Sequence, residues 1–313
     1  VIELGELAQF AGARSRGSAV ITGITHDSRA VRPGDLYVAV PGLARHGIDF
    51  AADALRSGAV AIATDEYGAA AYPEVPAIVL QDVRRGMATL AARVHGHPER
   101  DLVLIGVTGT NGKTTVASMV RHIVMAQGLG TGMIGTLGTW IGDQHLPGAR
   151  TTPESTDLFA TLAQMRDAGL THVVMEVSSH GLALHRVAGL RFRVAGFTNL
   201  TQDHLDFHGS MQDYYQAKRA LFDMCDRAVV NIDDEWGARL ATEVRGAVTV
   251  GASGDVQVRG LHGNVADGIT FTWHSAARDV DVHVPVIGDF NAANAALAIA
   301  MAAEADIDAS AAA

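Results

Sequence analysis

Hydrophobic and polar positions along the chain alternate between two periods, and the elements they predict alternate with them. Short apolar runs, "DLYVAV" (Asp35–Val40) and "VAIAT" (Val60–Thr64), predict strands. Between and after them, "DFAADALRSG" (Asp49–Gly58) and "VRRGMATLAARVHG" (Val83–Gly96) carry apolar residues at helical spacing, the first closed by Gly58. "GHPERD" (Gly96–Asp101) supplies the Gly, Pro and charges of a linker. "LVLIGVTG" (Leu102–Gly109) is a continuous apolar run ending in glycine, as a buried parallel strand requires. A helix from Lys113 to Gln127 follows, with Gly128 as its stop. "TGMIGT" predicts a strand, and "GTWIGDQHLPG" a hairpin around Gly142-Asp143. "TTPESTDLFATLAQMRDAG" (Thr151–Gly169) predicts a helix with Thr152 as N-cap, Pro153 at its first position and Gly169 past its end. "THVVMEVSS", "RVAGFTNL" and "AVVNID" predict strands, and "GSMQDYYQAKRALFDM" (Gly209–Met224) a helix. "VQVRG", "ITFTWHS" and "DVDVHVPV" alternate with period two and predict an antiparallel section before the final helix, Asp289–Ala305.

Strands alternating with helices imply an α/β protein with a mainly parallel sheet covered by helices on both faces. The chain has 313 residues, more than one core usually serves, so two domains are expected: 1–98 and 99–313. Ligands in such sheets bind beyond the carboxyl ends of the strands. Hydrophobic residues make up 48% and charged residues 19%, which excludes a disordered chain. The formal net charge of −10 argues against nucleic acid or an anionic membrane as partner, though not against a small anionic substrate held by loops. Cys225 is the single cysteine, so neither an intrachain disulfide nor a cysteine zinc cluster can form, and a cytoplasmic setting is expected. Its place at the end of an amphipathic stretch predicts a packed thiol. No signal-peptide pattern or membrane-length apolar run occurs. The end, "ADIDASAAA", directly follows a helix pattern and reads as a cut.

Chemistry concentrates at predicted strand ends. "TGTNGKTT" (Thr108–Thr115) sits between strand and helix, the context a phosphate loop needs, although the common G-x-x-x-x-G-K-[ST] spacing would place glycine where Val107 stands. Gly109 and Gly112 allow close backbone approach, Lys113 would reach the β/γ-phosphates, and the Thr114 hydroxyl would hold Mg²⁺. In "MEVSSH", Glu176 closes a buried strand, where a metal ion or backbone N–H groups must compensate its charge. "NLTQDHLDFHG" (Asn199–Gly209) packs two Asp, two His and an Asn after a strand, which points to a metal or phosphate site. Lys218, in "YYQAKRALF", locally reads as part of a solvated helix face. Asn291 and Asn294 share one face of an alanine-rich helix, which suggests polar contacts, for instance to a base.

"TGTNGKTT", "TTPES", "MEVSSHGL", "NLTQDHLDFHG", "YYQAK", "NIDD" and "GDFNAANA" occur in the order found in Mur ligases, the ATP-dependent amino-acid ligases of peptidoglycan synthesis. "TTPES" with "EVSSHGL" resembles most the tripeptide-synthetase (MurE) branch, and "THDSRAVRPGDLYVAVPG" (Thr25–Gly42) resembles its UDP-binding domain. The resemblance implies a UDP-substrate domain over 1–98, an ATP-binding ligase domain over 99–313, and a third, amino-acid-binding domain that is missing here. It implies that Gly109, Thr110, Asn111, Gly112, Lys113, Thr114 and Thr115 bind ATP, and that Thr114 and Glu176 hold a first Mg²⁺. His204 would bind a second Mg²⁺, together with a carbamate formed on Lys218. Thr151, Thr152, Ser178 and Arg186 would contact a UDP-N-acetylmuramoyl dipeptide. His26 and Ser28, with the segment Leu43–Arg45, would line the uridine. Asn291 and Asn294 would lie near the adenine. Leu184 stands where some members carry a glutamine that touches substrate. The implied reaction activates a carboxylate as an acyl phosphate and passes it to an amine, in a monomer that needs no nucleic acid or membrane. MurF, folylpolyglutamate synthetase, and a nucleotide-binding module without ligase activity are the rivals.

Overall fold

The computed structural model describes residues 1–42, 44–264 and 267–308. They form two compact units, Val1–Asp101 with Pro153–Gln164 and Leu184–Gly189, and Leu102–Thr152 with Met165–Ala183 and Leu190 onward.

In the first unit, strands Asp35–Val38 and Ala61–Thr64 form the centre of a five-stranded sheet, flanked by Gly23–Thr25 on one side and Ala77–Val79 then Arg14–Arg16 on the other. All neighbours are parallel except the last pair. Short apolar strands alternate with capped helices. Asp65 accepts from Gly68 N at 2.8 Å to start the helix Glu66–Ala71, and Asp82 accepts from Arg85 N at 3.0 Å to start Val83–Val94. Tyr37, Ile48, Ala54, Ile62 and Ala77 form a buried cluster, and the Tyr37 hydroxyl donates to Gly47 O at 2.8 Å. A buried phenol would be costly without that partner.

The second unit is built on an eleven-stranded sheet. Its parallel centre runs Thr131–Gly135, His172–Glu176, Val103–Thr108, Phe192–Phe197, Cys225–Asn231 and Val248–Val250. The predicted hairpin, Gly138–Ile141 with Gln144–Leu146, extends one end antiparallel. The predicted period-two section, Val256–Asn264, Gly268–Ser275 and Asp279–Val284, is antiparallel within itself and extends the other end through a parallel join of Val256–Asn264 to Val248–Val250. Ile105, Val107, Val174, Val194 and Val229 of the strands pack with Val116, Val120 and Val124 of the helix Lys113–Ala126 and with Ala296 and Ala300 of Phe290–Glu304. Each fully buried aliphatic side chain contributes about 1.5–3 kcal/mol relative to exposure. The last helix is buried along most of its length because its side chains are small. At Gly196 a Cβ would come within 2.2 Å of Met301 Sδ, so glycine lets helix and strand approach.

Among the element boundaries that differ from expectation, two bear on the site. The helix expected from Thr152 spans Ser155–Asp167. Thr152 is not its N-cap, because its hydroxyl is taken by the neighbouring strand end: it donates to Glu176 O at 3.0 Å and accepts from Ser178 N at 2.9 Å. The helix expected over Gly209–Met224 is α-helical over Met211–Arg219, capped by Ser210, and tightens to a 3₁₀ turn over Ala220–Met224. Among the described residues, no helix is long and apolar enough to cross a membrane.

Candidate functional site

In the second unit, the central strand Val103–Thr108 ends in the glycine loop, and the strand His172–Glu176 runs parallel beside it with Glu176 opposite Val107. This register sets the loop's hydroxyls against the acid. Thr114 Oγ1 donates to Glu176 Oε2 at 2.9 Å. Thr136, following the next strand, donates its backbone N–H to Oε1 at 2.8 Å and its hydroxyl to Oε2 at 3.1 Å. Glu176 is fully buried, and these three donors compensate a carboxylate that would otherwise be expensive. A Cβ at Gly135 would lie 2.2 Å from Glu176 Oε1, so glycine makes room for the acid.

The loop itself is held by the strand on its other side. Asn199 O accepts from Thr110 N at 2.8 Å, Asn199 Oδ1 from Asn111 N at 3.0 Å, and Thr198 Oγ1 donates to Asn111 O at 2.6 Å. Gly109 and Gly112 have φ of +145° and +85°. A Cβ at Gly109 would lie 1.8 Å from Thr198 Oγ1, and one at Gly112 2.7 Å from Asn294 Oδ1. Gly112 is also the N-cap of the helix Lys113–Ala126, whose first N–H groups and positive dipole end favour an anion. Asn294 thus packs against the glycine that opens the helix Lys113–Ala126. Its amide donates to Asn291 Oδ1 at 3.2 Å, and Asn291 donates to Ile287 O at 2.8 Å. Thr115 lines an apolar cavity of about 370 Å³ with Met119, His122, Val284 and Ala298.

Two lysines meet at this loop. Lys113 Nζ donates to Gly109 O at 3.0 Å and Thr110 O at 2.8 Å. Lys218 Nζ donates to Gly109 O at 2.7 Å and lies 4.5 Å from the centre of the Tyr214 ring. Burial pushes both ammonium groups down in pKa: Lys113 against the pull of Glu176 and Asp203, and Lys218 well below the usual lysine value, with Lys113 adding repulsion. The solvated-face reading of Lys218 is therefore wrong. The side chain is 1% exposed, because its helix turns this face onto the loop rather than to water.

His204 sits at the start of the short helix Leu205–His208 with φ of +53°, an uncommon conformation for a non-glycine residue. Its ring lies 4.9 Å from His180 and 6.1 Å from Tyr214, and Nε2 is 3.5 Å from Asp203 Oδ2. His204 and Lys218 therefore flank the same tyrosine. His208 also packs on Tyr214, with Nε2 2.9 Å from Ser179 Oγ. Burial, with His180, Lys218 and His204 adding repulsion, pushes the His208 pKa down. Among the described residues no group of three or more His, Cys, Asp or Glu side chains converges as a metal cluster. The oxygen pair of Thr114 and Glu176 still fits a hard cation that takes its remaining ligands from phosphate and water. Thr151 Oγ1 lies 3.0 Å from Thr136 Oγ1, and Thr152 and Ser178 hydroxyls are 3.0 Å apart, so the three hydroxyl residues surround the Glu176 strand end.

The first unit holds the remaining predicted residues. His26 Nδ1 lies 2.7 Å from Thr156 Oγ1. Ser28 is half-buried in the loop after Gly23–Thr25. Arg186 is bound through both its ends: Ser155 Oγ donates to its carbonyl at 3.1 Å, and its guanidinium bonds Glu154 at 2.9 Å. Of the Leu43–Arg45 segment, Leu43 lies outside the described residues. Sequence reasoning missed Thr136, Thr198, Asn199, Tyr214 and Glu154 as site residues. Asn199 and Glu154 lay inside quoted motifs, and their strand-end and pre-helix positions were the available signal. Tyr214 also lay inside a quoted motif, one helical turn before Lys218, whereas Thr136 and Thr198 are brought in by strand order.

Two family profiles match the chain: "Mur ligase middle domain" over residues 107–302 and "Mur ligase family, catalytic domain" over 20–95. The chain is 47% identical to a UDP-N-acetylmuramoyl-L-alanyl-D-glutamate–2,6-diaminopimelate ligase of Streptomyces coelicolor, over 97% of this chain and 62% of that protein. It is 41% identical to a UDP-N-acetylmuramyl-tripeptide synthetase of Leifsonia xyli, over 97% of this chain and 62% of that protein. A solved structure of a UDP-N-acetylmuramoyl-L-alanyl-D-glutamate–2,6-diaminopimelate ligase superposes with a TM-score of 0.80 at 29% identity, covering 93% of this chain and 61% of that one. A MurF ligase of Thermotoga maritima in complex with ADP shares the fold, with a TM-score of 0.64 at 19% identity, over 91% of this chain and 63% of that one. The chain thus spans about three fifths of the length of these relatives.

Proposed function

We propose that this chain, which belongs to the Mur ligase family, binds ATP and a UDP-N-acetylmuramoyl-L-Ala-D-Glu acceptor and serves amide ligation of the acceptor's third amino acid in peptidoglycan synthesis. The observation that carries this reading is the glycine loop closed onto a buried acid, Thr114 to Glu176 at 2.9 Å, at the carboxyl ends of two adjacent parallel strands. The relatives at 41–47% identity named above support the tripeptide-synthetase branch over MurF and folylpolyglutamate synthetase. Solved structures of those two match at 17–21% identity, which speaks for the fold alone.

In this reading Gly109–Thr115 cradle the phosphates through backbone N–H groups, and Lys113 leaves its loop carbonyls to follow the charge on the transferred phosphoryl group. Thr114 and Glu176 hold a first Mg²⁺, and His204 a second. Bound Mg²⁺ supplies charge neutralisation for the polyphosphate. Burial raises the share of Lys218 in the neutral form that attacks CO₂; the new N–C bond forms, the nitrogen loses a proton to water, and the resulting carbamate lends a negative charge beside His204. Asn291 and Asn294 hold the nucleobase end of ATP. His26 and Ser28 line the uridine, while Thr151, Thr152, Ser178 and Arg186 bind the peptidyl part. The acceptor carboxylate is a poor electrophile. It attacks the γ-phosphorus, ADP leaves, and the resulting acyl phosphate is opened by the incoming amine, which loses a proton and expels phosphate. Positioning and charge stabilisation do the work, so no protein nucleophile is required.

Lys113→Ala tests the reading in the full-length protein. Phosphate release and amide formation fall by about 10³-fold or more, with an unchanged circular dichroism spectrum. Normal turnover overturns the phosphate-loop assignment. A panel comparing UDP-MurNAc dipeptide with tripeptide as acceptor separates the tripeptide-synthetase branch from MurF.

A further inference from the structure

Glu154 lies just ahead of the helix Ser155–Asp167, within the first compact unit, and is 6% exposed. Its two oxygens are divided between two arginines of the same unit. Oε1 accepts from Arg186 Nε at 2.9 Å and lies 2.9 Å from Arg186 Nη2. Oε2 accepts from Arg84 Nη1 at 3.1 Å, on the helix Val83–Val94. All three side chains are largely withdrawn from water, at 8%, 12% and 23% exposed for Glu154, Arg186 and Arg84.

An ion triad is an inefficient bolt. Apolar residues of similar volume hold elements together as well or better, since burying charges costs desolvation. What such a triad supplies is direction. An arginine grips a carboxylate through a planar fork, and that grip works when the plane is already set before the ligand arrives. Two contacts on one edge of the Arg186 guanidinium, with Ser155 Oγ holding its carbonyl, set that plane. The triad also sums to one net positive charge, the complement of a carboxylate.

We propose that Glu154 is a positioning residue that orients the Arg186 guanidinium toward a carboxylate of the UDP-linked acceptor peptide, with Arg84 anchoring Glu154 in turn. This rests on the reading of Arg186 as an acceptor contact. The effect is confined to ligands that carry the carboxylate, which distinguishes it from a structural role.

Calorimetric titration of the full-length protein with UDP-MurNAc-L-Ala-D-Glu, and separately with UDP, tests it. In Glu154→Gln the dipeptide substrate binds at least tenfold more weakly, while UDP binds as to the wild type. Glu154→Asp, which keeps the charge on a shorter arm, recovers part of the loss and serves if the glutamine variant does not fold. In steady state, KM for the acceptor rises and KM for ATP does not. Unchanged dipeptide affinity, or equal weakening of dipeptide and UDP, overturns the inference. A wild-type protein that binds the dipeptide no better than UDP instead overturns the acceptor reading itself, and the inference with it.

Discussion

Lys218 shows how little a side chain's identity says before its surroundings are known. Beside Arg219, on an amphipathic stretch, it looks solvated, yet it is buried against Gly109 O and the Tyr214 ring. Burial holds its pKa well below the usual lysine value, so a larger share is the neutral, nucleophilic amine at a given pH. Lys218→Ala is expected to lose most ligation activity and to regain part of it with tens of millimolar formate or acetate, which place a carboxylate where the carbamate would stand. Wild-type activity in this variant, with no response to added carboxylate, removes the carbamate from the proposal. Cys225 is half-buried rather than fully packed, with Sγ donating to Phe222 O at 3.5 Å. Burial raises its pKa to about 11, from a reference of 9.0. At pH 8 that leaves roughly a hundredfold less thiolate than an unperturbed thiol would have. Iodoacetamide should therefore label the native protein about a hundredfold more slowly than the urea-unfolded chain, and equal rates would place the thiol in water. Lys113, Thr114 and Glu176 were legible because each stands at a strand end or helix start, positions that apolar runs announce. Thr136 and Tyr214 were not, since nothing in "TGMIGT" or "DYYQAK" states which strand or loop lies next to it.

Elements were read well where a period was long and its ends were marked. The strand Val103–Thr108, the helix Lys113–Ala126 and the hairpin at Gly142 stand as expected, within a residue or two. The start of Ser155–Asp167 was misread because Thr-Pro is a strong local start signal, and local signals lose when the same hydroxyl finds a tertiary partner. Here Thr152 serves the strand end at Glu176 and Ser178. The glycine loop allows a sharper check. Gly112 needs its left-handed φ of +85° and would also press a Cβ to 2.7 Å from Asn294 Oδ1, whereas Gly128 has φ of +72° with nothing within 4 Å. Gly128→Ala is expected to cost about 1–2 kcal/mol from backbone strain alone. Gly112→Ala should cost about 1 kcal/mol more in urea denaturation and also weaken binding of an ATP analogue. Equal costs, with ATP binding intact, would mean that Asn294 does not close on the loop.

Across the molecule, the proposed ATP groups belong to the second compact unit, whereas His26, Ser28 and Arg186 belong to the first. A non-hydrolysable ATP analogue with Mg²⁺ and UDP should therefore each raise Tm, by the equivalent of about 2.7 kcal/mol at a hundred times Kd. Lys113→Ala should abolish the first shift and leave the second. Loss of both would show that the variant is damaged beyond its loop. The amino-acid sequence alone determined the α/β class, the glycine loop between strand and helix, the family resemblance and the antiparallel section, because these rest on local periodicity and on residues adjacent along the chain. Tertiary structure decided which strands are neighbours, and so which hydroxyls meet Glu176. It also decided that Lys218 is buried and that Glu154 ties Arg84 to Arg186, residues 102 positions apart in numbering. Such pairings depend on strand order and register, which period and composition leave open, because any buried strand can hydrogen-bond to any other until packing selects one arrangement.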